Sequence, residues 1–567
     1  DPFGAEAGDK SEGLLWKIVI FLQRKLVWAA LLAIIYMCYQ TMAGRGWDWW
    51  SQPRDIFEGP GIERGWIQGR YRDMYHGGLY SFIKLTAPLL GATFAIQVVC
   101  QFLCNLYVYR LGSGAVSQKG RSLTRATLQL LTYTLTGFGF SYAAWGASAV
   151  WLVFSALVNY YVLQLVRRHP RRRQMIWAWG LLYLNFFNTW AYYVPDGKDR
   201  TFVNFFSQFA ALLNVDSGSV SALQWLDSLK SPLGLSIGSE YFTRYMALRL
   251  MSFNFDVCNE RRGKRQRLRV GDGYFEQGLG LLLMYMSYLF YFPLIIRGPS
   301  MTFDRFQKQV LNNVITNEEG SGLLEPMSFR MEVLKDLFKL IVYAVCLEIA
   351  VHTFYYPTLI FAEIDRELNV WEWSGYCMAY LSFMYMQGII TYGFPRVIAG
   401  LNRISAPNDM PRCFFAASTS FSSHWRSYHA GWNKWFLQYI YLPQGGGYRA
   451  LWYVCYWSFL LHSFDSYWVQ WSAITTTALT VELFLRKNFV WYSDPNFIVR
   501  GINHAIVAWV HVYIFPGATD ATVKMFGIGI LVFMLIFEFS AEKKKMFCIA
   551  CSRTKRTEPL DSKLKLD

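Results

Sequence analysis

The sequence predicts an all-α, polytopic membrane bundle, on three observations. Of its 567 residues, 53% are hydrophobic and only 17% are charged, whereas an ordinary soluble domain carries about a quarter charged residues. The apolar residues are gathered into runs of about 20, the length a helix needs to cross a bilayer. The basic residues behind the net charge of +16 sit in short clusters between those runs. A soluble chain of this length would form roughly three or four domains, and there are too few charges to cover them. Lipid is left to solvate much of the outer face.

The runs lie near 25–43, 81–108, 125–145, 148–167, 177–194, 233–255, 275–296, 333–361, 371–395, 449–485, 501–516 and 525–540. The stretch 449–485 is long enough for two helices, so roughly eleven to thirteen full or partial crossings are expected. Segments 201–215 and 303–330 are amphipathic, and neither a strand pattern nor a long repeat is evident. No cleavable leader pattern is visible, and the start at Asp1 rather than Met reads as a trimmed chain or a fragment.

Charge sets the expected orientation. Lys10, Lys17, Arg24 and Lys25, then Lys119, Arg121 and Arg125, then the Arg167–Arg173 cluster are each two crossings apart, and all three fall on the cytoplasmic side by the positive-inside rule. The loop 44–80, with Trp47, Trp49, Trp50 and Trp66, is then lumenal and suits an interface belt. Basic clusters beside spans, with the aromatic residues inside the apolar runs, argue against nucleic acid. The expected organisation is a cytoplasmic segment at 1–24, transmembrane helices over 25–240, a core over 241–490, further transmembrane helices over 491–540 and a basic cytoplasmic tail over 541–567.

Ten cysteines are scattered, mostly in apolar stretches, as at Cys100, Cys104, Cys346 and Cys455. No pair has metal-site spacing with companion histidines, so they read as small core hydrophobes and no metal site is expected. Cys548 and Cys551 follow Lys543–Lys545 after the last apolar run, a setting for palmitoylation. The tail ends Lys563-Leu564-Lys565-Leu566-Asp567, a dilysine pattern of the kind read at the endoplasmic reticulum.

Chemistry is expected at 398–448 and just beyond it. That stretch holds too many polar groups to face lipid, and such backbone is tolerated at membrane depth only when protein buries it or it lines a cavity. His424, His429 and His462 cluster between Leu401 and Gln470, with Pro407, Pro411 and Pro443 punctuating the segment and Gly445, Gly446 and Gly447 forming a turn. Trp425, Arg426, Trp432, Asn433, Trp435 and Tyr439 make an aromatic and basic amphipathic stretch that can lie at the cytoplasmic interface; Arg426, Lys434 and Arg449 can meet an anionic ligand. His462 follows LWYVCYWSFLL, near the middle of an expected span, where an ionisable group is a functional hypothesis by default. It reads either as a general base or as a histidine bonded to a neighbouring helix. Asp465 reads either as orienting that imidazole or as capping the next helix. His424 reads as structural, and His76, His169, His352, His504 and His511 have no companions suggesting chemistry. The P-loop and zinc-protease patterns GxxxxGK[ST] and HExxH are absent.

The run APNDMPRCFF at 406–415, then SSHWRSYHAGWNKWFLQYIYLPQGG at 422–446, then an apolar helix with one histidine, resembles the membrane-bound O-acyltransferase family, and within it the glycerol uptake protein branch related to Hedgehog acyltransferase. LRLMSFNFD at 248–256 and YFPLIIRGPSMTFDRF at 291–306 match as well, so the resemblance covers most of 240–490. It implies a bundle of about eleven spans with re-entrant segments and an internal tunnel. Acyl-CoA would serve as co-substrate, with no bound cofactor, and the acceptor would be a lipid or lipid anchor. It implies His462 as the catalytic histidine and His429 as the second polar site residue; Trp425, Arg426, Asn433, Lys434 and Trp435 of the aromatic and basic stretch are the expected substrate contacts. Asn402 stands where the branch usually has an acid, and Asp465 lies three residues past His462 instead of beside it. The reaction implied is O-acylation, in this branch of a lyso-glycosylphosphatidylinositol anchor, at the endoplasmic reticulum. The alternatives are acylation of a secreted protein and transport of glycerol. The paired broken helices of many transporters are not evident.

Overall fold

The computed structural model describes residues 62–66, 71–73, 77–111, 118–193, 239–258, 271–295, 300–318, 327–353, 370–410, 420–462, 466–489 and most of 499–510. The expected spans at 25–43 and 525–540, the segment 201–215, the tail, and His76, Asp465, His504 and His511 lie outside the described residues.

Helices carry the fold. In chain order they are α1 (Gly77–Leu111), α2 (Gln118–Trp145), α3 (Ala147–Val166), α4 (Arg172–Tyr193), α5 (Ser239–Cys258), α6 (Gly278–Leu289), α7 (Phe303–Glu318), α8 (Met327–Thr353), α9 (Val370–Leu401), α10 (Phe421–Ser427), α11 (Ala430–Phe436), α12 (Gly447–His462) and α13 (Ser466–Asn488). α1 to α5, α8, α9 and α13 each have 20 residues or more, about 30 Å of helix at the shortest. Among the described residues, one segment, Ala87–Arg110 in α1, is both long and apolar enough to cross a membrane. The outer faces of the long helices expose large apolar side chains, among them Val99, Phe102, Phe154, Leu165, Phe338 and Val345. An apolar surface on that scale marks contact with something other than water.

The structure amends the expected elements in three places. No strand was expected, yet Ile62–Arg64 (β1) pairs antiparallel with Tyr71–Asp73 (β2), with Glu63 opposite Arg72. The run 275–296 is not one span. It is the 12-residue α6, preceded by a tight turn at Gly271–Glu276 and followed by a second at Phe292–Leu294. Gly278, at φ 53°, bends the entry, and Pro293 cannot continue a helix. The run 449–485 is indeed two helices, α12 and α13, so His462 stands at the end of α12 and not in the middle of a span.

The core is built where α2, α5, α6 and α7 meet the segment 288–295, around Tyr133, Phe253, Tyr285, Tyr288, Phe290, Phe292, Phe303 and Phe306. Phe253 stacks on Tyr285 with ring centroids 3.8 Å apart. Polar groups inside this core are paired between helices. Asn159 of α3 donates to Asn254 of α5 at 3.0 Å and to Tyr285 at 2.9 Å, while its carbonyl accepts from Trp179 of α4 at 2.9 Å and from Asn254 at 2.8 Å. Removing one member strands the others in a dry interior. Asn159→Ala is therefore expected to cost roughly 2 kcal/mol, read as a lowered unfolding midpoint of the protein in detergent. Buried Arg249 is likewise satisfied by main chain: it donates to the carbonyls of Tyr288 and Leu294 and lies over the Tyr288 ring.

Candidate active site

The site is assembled from the end of α9 onward. The loop after α9 is tied to α7: Ser405 N–H donates to Gln309 Oε1 at 2.6 Å, and Asn313 donates to the Arg403 carbonyl at 3.0 Å. Asn402, standing where an acid was expected, donates to Tyr291 at 2.9 Å and serves packing. This anchoring leads to Asp409, which is fully buried. Its main-chain carbonyl accepts from His429 N–H at 2.7 Å, and its carboxylate Oδ1 accepts from Gly431 N–H at 2.6 Å. Burial pushes the Asp409 carboxyl up to about 7, against the hydrogen bonds from Gly431 and Ser300 and the charges of Lys434 and Arg396.

α10 begins with a capping box: the Ser420 hydroxyl accepts from Ser423 N–H, and Ser423 answers to Ser420 N–H. Ser422 then fixes α10 to α13, donating its hydroxyl to buried Glu482 at 2.6 Å, and Glu482 also pairs with Arg486 at 2.9 Å. A carboxylate in the middle of a long helix is thereby neutralised by its neighbours. His429 follows in the left-handed conformation, φ 51° and ψ 43°, and opens α11. After α11 the chain turns through Leu437–Gln444 and three positive-φ glycines, Gly445 to Gly447, into α12.

These elements place six aromatic rings in a closed circuit. Trp425 meets Tyr428 (6.2 Å between centroids), Tyr428 meets His429 (4.2 Å), and His429 meets Trp432 (6.0 Å). Trp432 meets His462 (6.1 Å), His462 meets Trp471 (5.6 Å), and Trp471 returns to Trp425 (5.4 Å). Trp468 stacks on His462 at 4.2 Å, with the planes 11° apart. The His462 imidazole is thus near parallel to two indoles, those of Trp468 and, farther off, Trp432. Tyr392 of α9 packs edge-on against His429.

Both expected histidines thus touch the same indole, that of Trp432. Trp425 belongs to the circuit as well. The other expected contact residues are distributed differently. Asn433 is half-buried, and its N–H donates to the His429 carbonyl at 2.9 Å. Arg426 and Lys434 are exposed, and Arg426 donates back to the Ser422 carbonyl at 3.1 Å. Trp435 is a packing anchor: it is buried in the core beside Tyr439 and Trp457, and its indole N–H donates to the Leu248 carbonyl at 3.1 Å. Trp432, three residues earlier on the same side of α11, is half-buried and packs against this cluster as well as against the two histidines. His424 is fully buried and stacked on Tyr428, in keeping with a structural role. His352 bonds to the Glu348 carbonyl at 2.7 Å and packs against Trp66, far along the chain from the circuit. Among the described residues no group of three or more possible metal ligands comes together.

Asp409, Tyr428, Trp432, Trp468 and Trp471 were not among the expected site residues. Part of that circuit has a signal in the sequence: Trp425, Tyr428, His429 and Trp432 recur at i, i+3, i+4 and i+7, one face of a helical path. Trp468 and Trp471 repeat the i, i+3 step.

Residues 275–519 match the model of the MBOAT, membrane-bound O-acyltransferase family. Candida tropicalis "Membrane-bound O-acyltransferase GUP1" is 24% identical over 478 residues, which is 79% of this chain and 72% of the relative. Saccharomyces cerevisiae "Membrane-bound O-acyltransferase GUP2" is 25% identical over 42% of this chain and 39% of its own length. Mouse "Protein-cysteine N-palmitoyltransferase HHAT" is 25% identical over 214 residues, 36% of this chain and 40% of that enzyme. The aligned region therefore spans less than half of the mouse and Saccharomyces relatives. Asp409, His429 and His462 all fall within the matched interval.

Proposed function

From the premise that the chain carries an acyltransferase domain of the membrane-bound O-acyltransferase family over residues 275–519, we propose that it transfers a long-chain acyl group from acyl-CoA to a hydroxyl of a lipid acceptor, with His462 as general base and His429 as its partner. The observation that carries this reading is the shared contact of both imidazoles with Trp432. Two titratable rings against one aromatic wall can serve one reacting centre.

His462 takes the proton of the acceptor hydroxyl as its oxygen attacks the thioester carbonyl. The resulting positive charge sits at the C-terminal, carbonyl-rich end of α12 and against the indole face of Trp468. Helix dipole and ring quadrupole both favour a cation there. His429 donates a hydrogen bond to the oxygen that becomes negative. As the tetrahedral centre collapses, the carbon–sulfur bond breaks and the departing CoA thiolate takes the proton back from His462. The ester is formed, no acyl-enzyme is required, and the aromatic walls exclude water that would hydrolyse the thioester. Of the expected contacts, Trp425 lines the wall, while exposed Arg426 and Lys434 can meet the anionic groups of CoA at the mouth. Asn433 stands half-buried on α11, one residue after Trp432.

The likeness to the GUP1 and GUP2 membrane-bound O-acyltransferases supports O-acyl transfer in the membrane; within that reading the acceptor we propose is a lyso-glycosylphosphatidylinositol anchor at the endoplasmic reticulum, and the basic clusters beside the apolar runs support cytoplasmic termini. The likeness to a protein-cysteine palmitoyltransferase favours a second reading, in which the acceptor is a secreted protein. Lipid analysis of cells lacking the protein separates them. Accumulated lyso anchors are expected; intact anchors together with an under-acylated secreted protein would replace the first reading by the second. With purified protein, CoA release from a long-chain acyl-CoA should depend on added acceptor.

A further inference from the structure

We propose that Asp409 is the positioning residue of this site: it clasps the turn that carries His429 and so sets where that imidazole meets Trp432. The inference rests on the catalytic reading of His429 given above, but the clasp itself stands on separate geometry. His429 and Arg403 are the non-glycine residues at positive φ among the described residues, a conformation that L side chains keep only when their surroundings hold them in it. Asp409 supplies the hold at two points. Its carbonyl takes the His429 N–H at 2.7 Å, and its carboxylate takes the Gly431 N–H at 2.6 Å. One residue therefore grips the backbone on both sides of Ala430.

Gly431 shows how closely the clasp is fitted. A Cβ there would lie 2.5 Å from the Ser300 carbonyl oxygen, 2.9 Å from Ser300 N and 2.9 Å from Asp409 Oδ1. The start of α11 is pressed between Ser300 and the carboxylate with room for a hydrogen only. The Asp409 carboxylate also takes a backbone hydrogen bond from Ser300, so it joins the segment before α7 to the start of α11. Neither Asp409 oxygen need contact substrate for this. The second, Oδ2, is buried without a hydrogen-bond partner among the described residues, and burial holds the carboxyl up to about 7. Burial thus disfavours the charge on this group, and an amide of the same shape, which keeps the Oδ1 acceptor for Gly431 N–H, should do its work.

The test compares Asp409→Asn, Asp409→Ala and Gly431→Ala in the full chain reconstituted in lipid nanodiscs. Two readouts are needed, turnover with a long-chain acyl-CoA and hydrogen exchange of the peptide 426–433. Asp409→Ala and Gly431→Ala are expected to lower kcat by at least about tenfold with KM for acyl-CoA within about threefold, because a displaced catalytic group costs rate and not binding. Both should speed exchange at His429 and Gly431. Asp409→Asn, which keeps the acceptor, should hold both readouts near the parent. Should Asp409→Ala not fold, Asp409→Glu tests the same point, since its longer arm cannot keep both contacts. Parent-like exchange and kcat in the Ala or Glu variant would overturn the clasp. Faster exchange with unchanged kcat would overturn its positioning role. If His429→Ala itself keeps full turnover, the catalytic reading of His429 falls, and the exchange result reports on the clasp alone.

Discussion

His462→Ala is expected to lower kcat for acyl transfer on the order of 10³-fold, with KM for acyl-CoA little changed. Placing or removing one proton in the transition state contributes 10²- to 10⁴-fold, and the imidazole stacks on Trp468 and meets Trp432, the indole that His429 also meets. Loss of packing could mimic part of this effect, because the ring stacks on Trp468 at 4.2 Å. His462→Phe separates the two causes: it keeps an aromatic plate in the stack and supplies no base. Parent-like thermal stability with lost turnover in the Phe variant identifies the loss as chemical. Restored turnover in that variant would sink the general-base role. His429→Ala should cost less, about 10²-fold, the scale of losing one oxyanion donor. The double variant should cost less than the product of the two, since groups serving a single step are not additive.

The division between what could and could not be read from the chain follows the range of the interactions. Apolar runs located α1 to α4, α8 and α9, with ends up to eight residues away, because helix position is set largely by local composition. The broken segment 271–295 escaped that reasoning. Its side chains are as apolar as a span, and only the burial of Tyr285, Tyr288 and Phe290 among α2, α5 and α7 makes a short helix sufficient. The two-strand pairing of β1 and β2 involves three residues a side and leaves no periodic signal.

At the site, the two histidines were visible because ionisable residues are rare near apolar runs. Trp435 and Trp432 look alike in sequence but differ in place: one indole N–H is bonded to the Leu248 carbonyl in the core, the other ring stands between the histidines. Asp409 was quoted in the motif 406–415 without a role, since its partners, Gly431 and Ser300, are 22 residues later and 109 earlier in the chain. Sequence proximity could not bring those groups together. The clasp arises only when the segment before α7 packs against α11.

Gly137→Ala is expected to abolish stable folding, whereas Gly139→Ala, two residues along the same helix, should change stability by less than about 1 kcal/mol. A Cβ at 137 would lie 1.4 Å from the Phe290 carbonyl oxygen and 2.5 Å from the Phe290 carbonyl carbon, both main-chain atoms that no rotamer change can move. At 139 an added Cβ meets nothing within 4 Å. Ordinary overpacking costs about 1–3 kcal/mol, but that figure assumes side chains that can yield. Here α2 and the end of α6 would have to separate. Such a shift would be felt at the site, because the segment after Phe290 carries Tyr291, bonded to Asn402, and leads to Ser300, which abuts Gly431. Any Gly137→Ala protein recovered from membranes should therefore show both a lowered unfolding midpoint and lost acyl transfer, with normal values for Gly139→Ala. Equal stability of the two variants would mean that α2 does not approach Phe290 this closely, and the route by which the core supports the site would have to be redrawn.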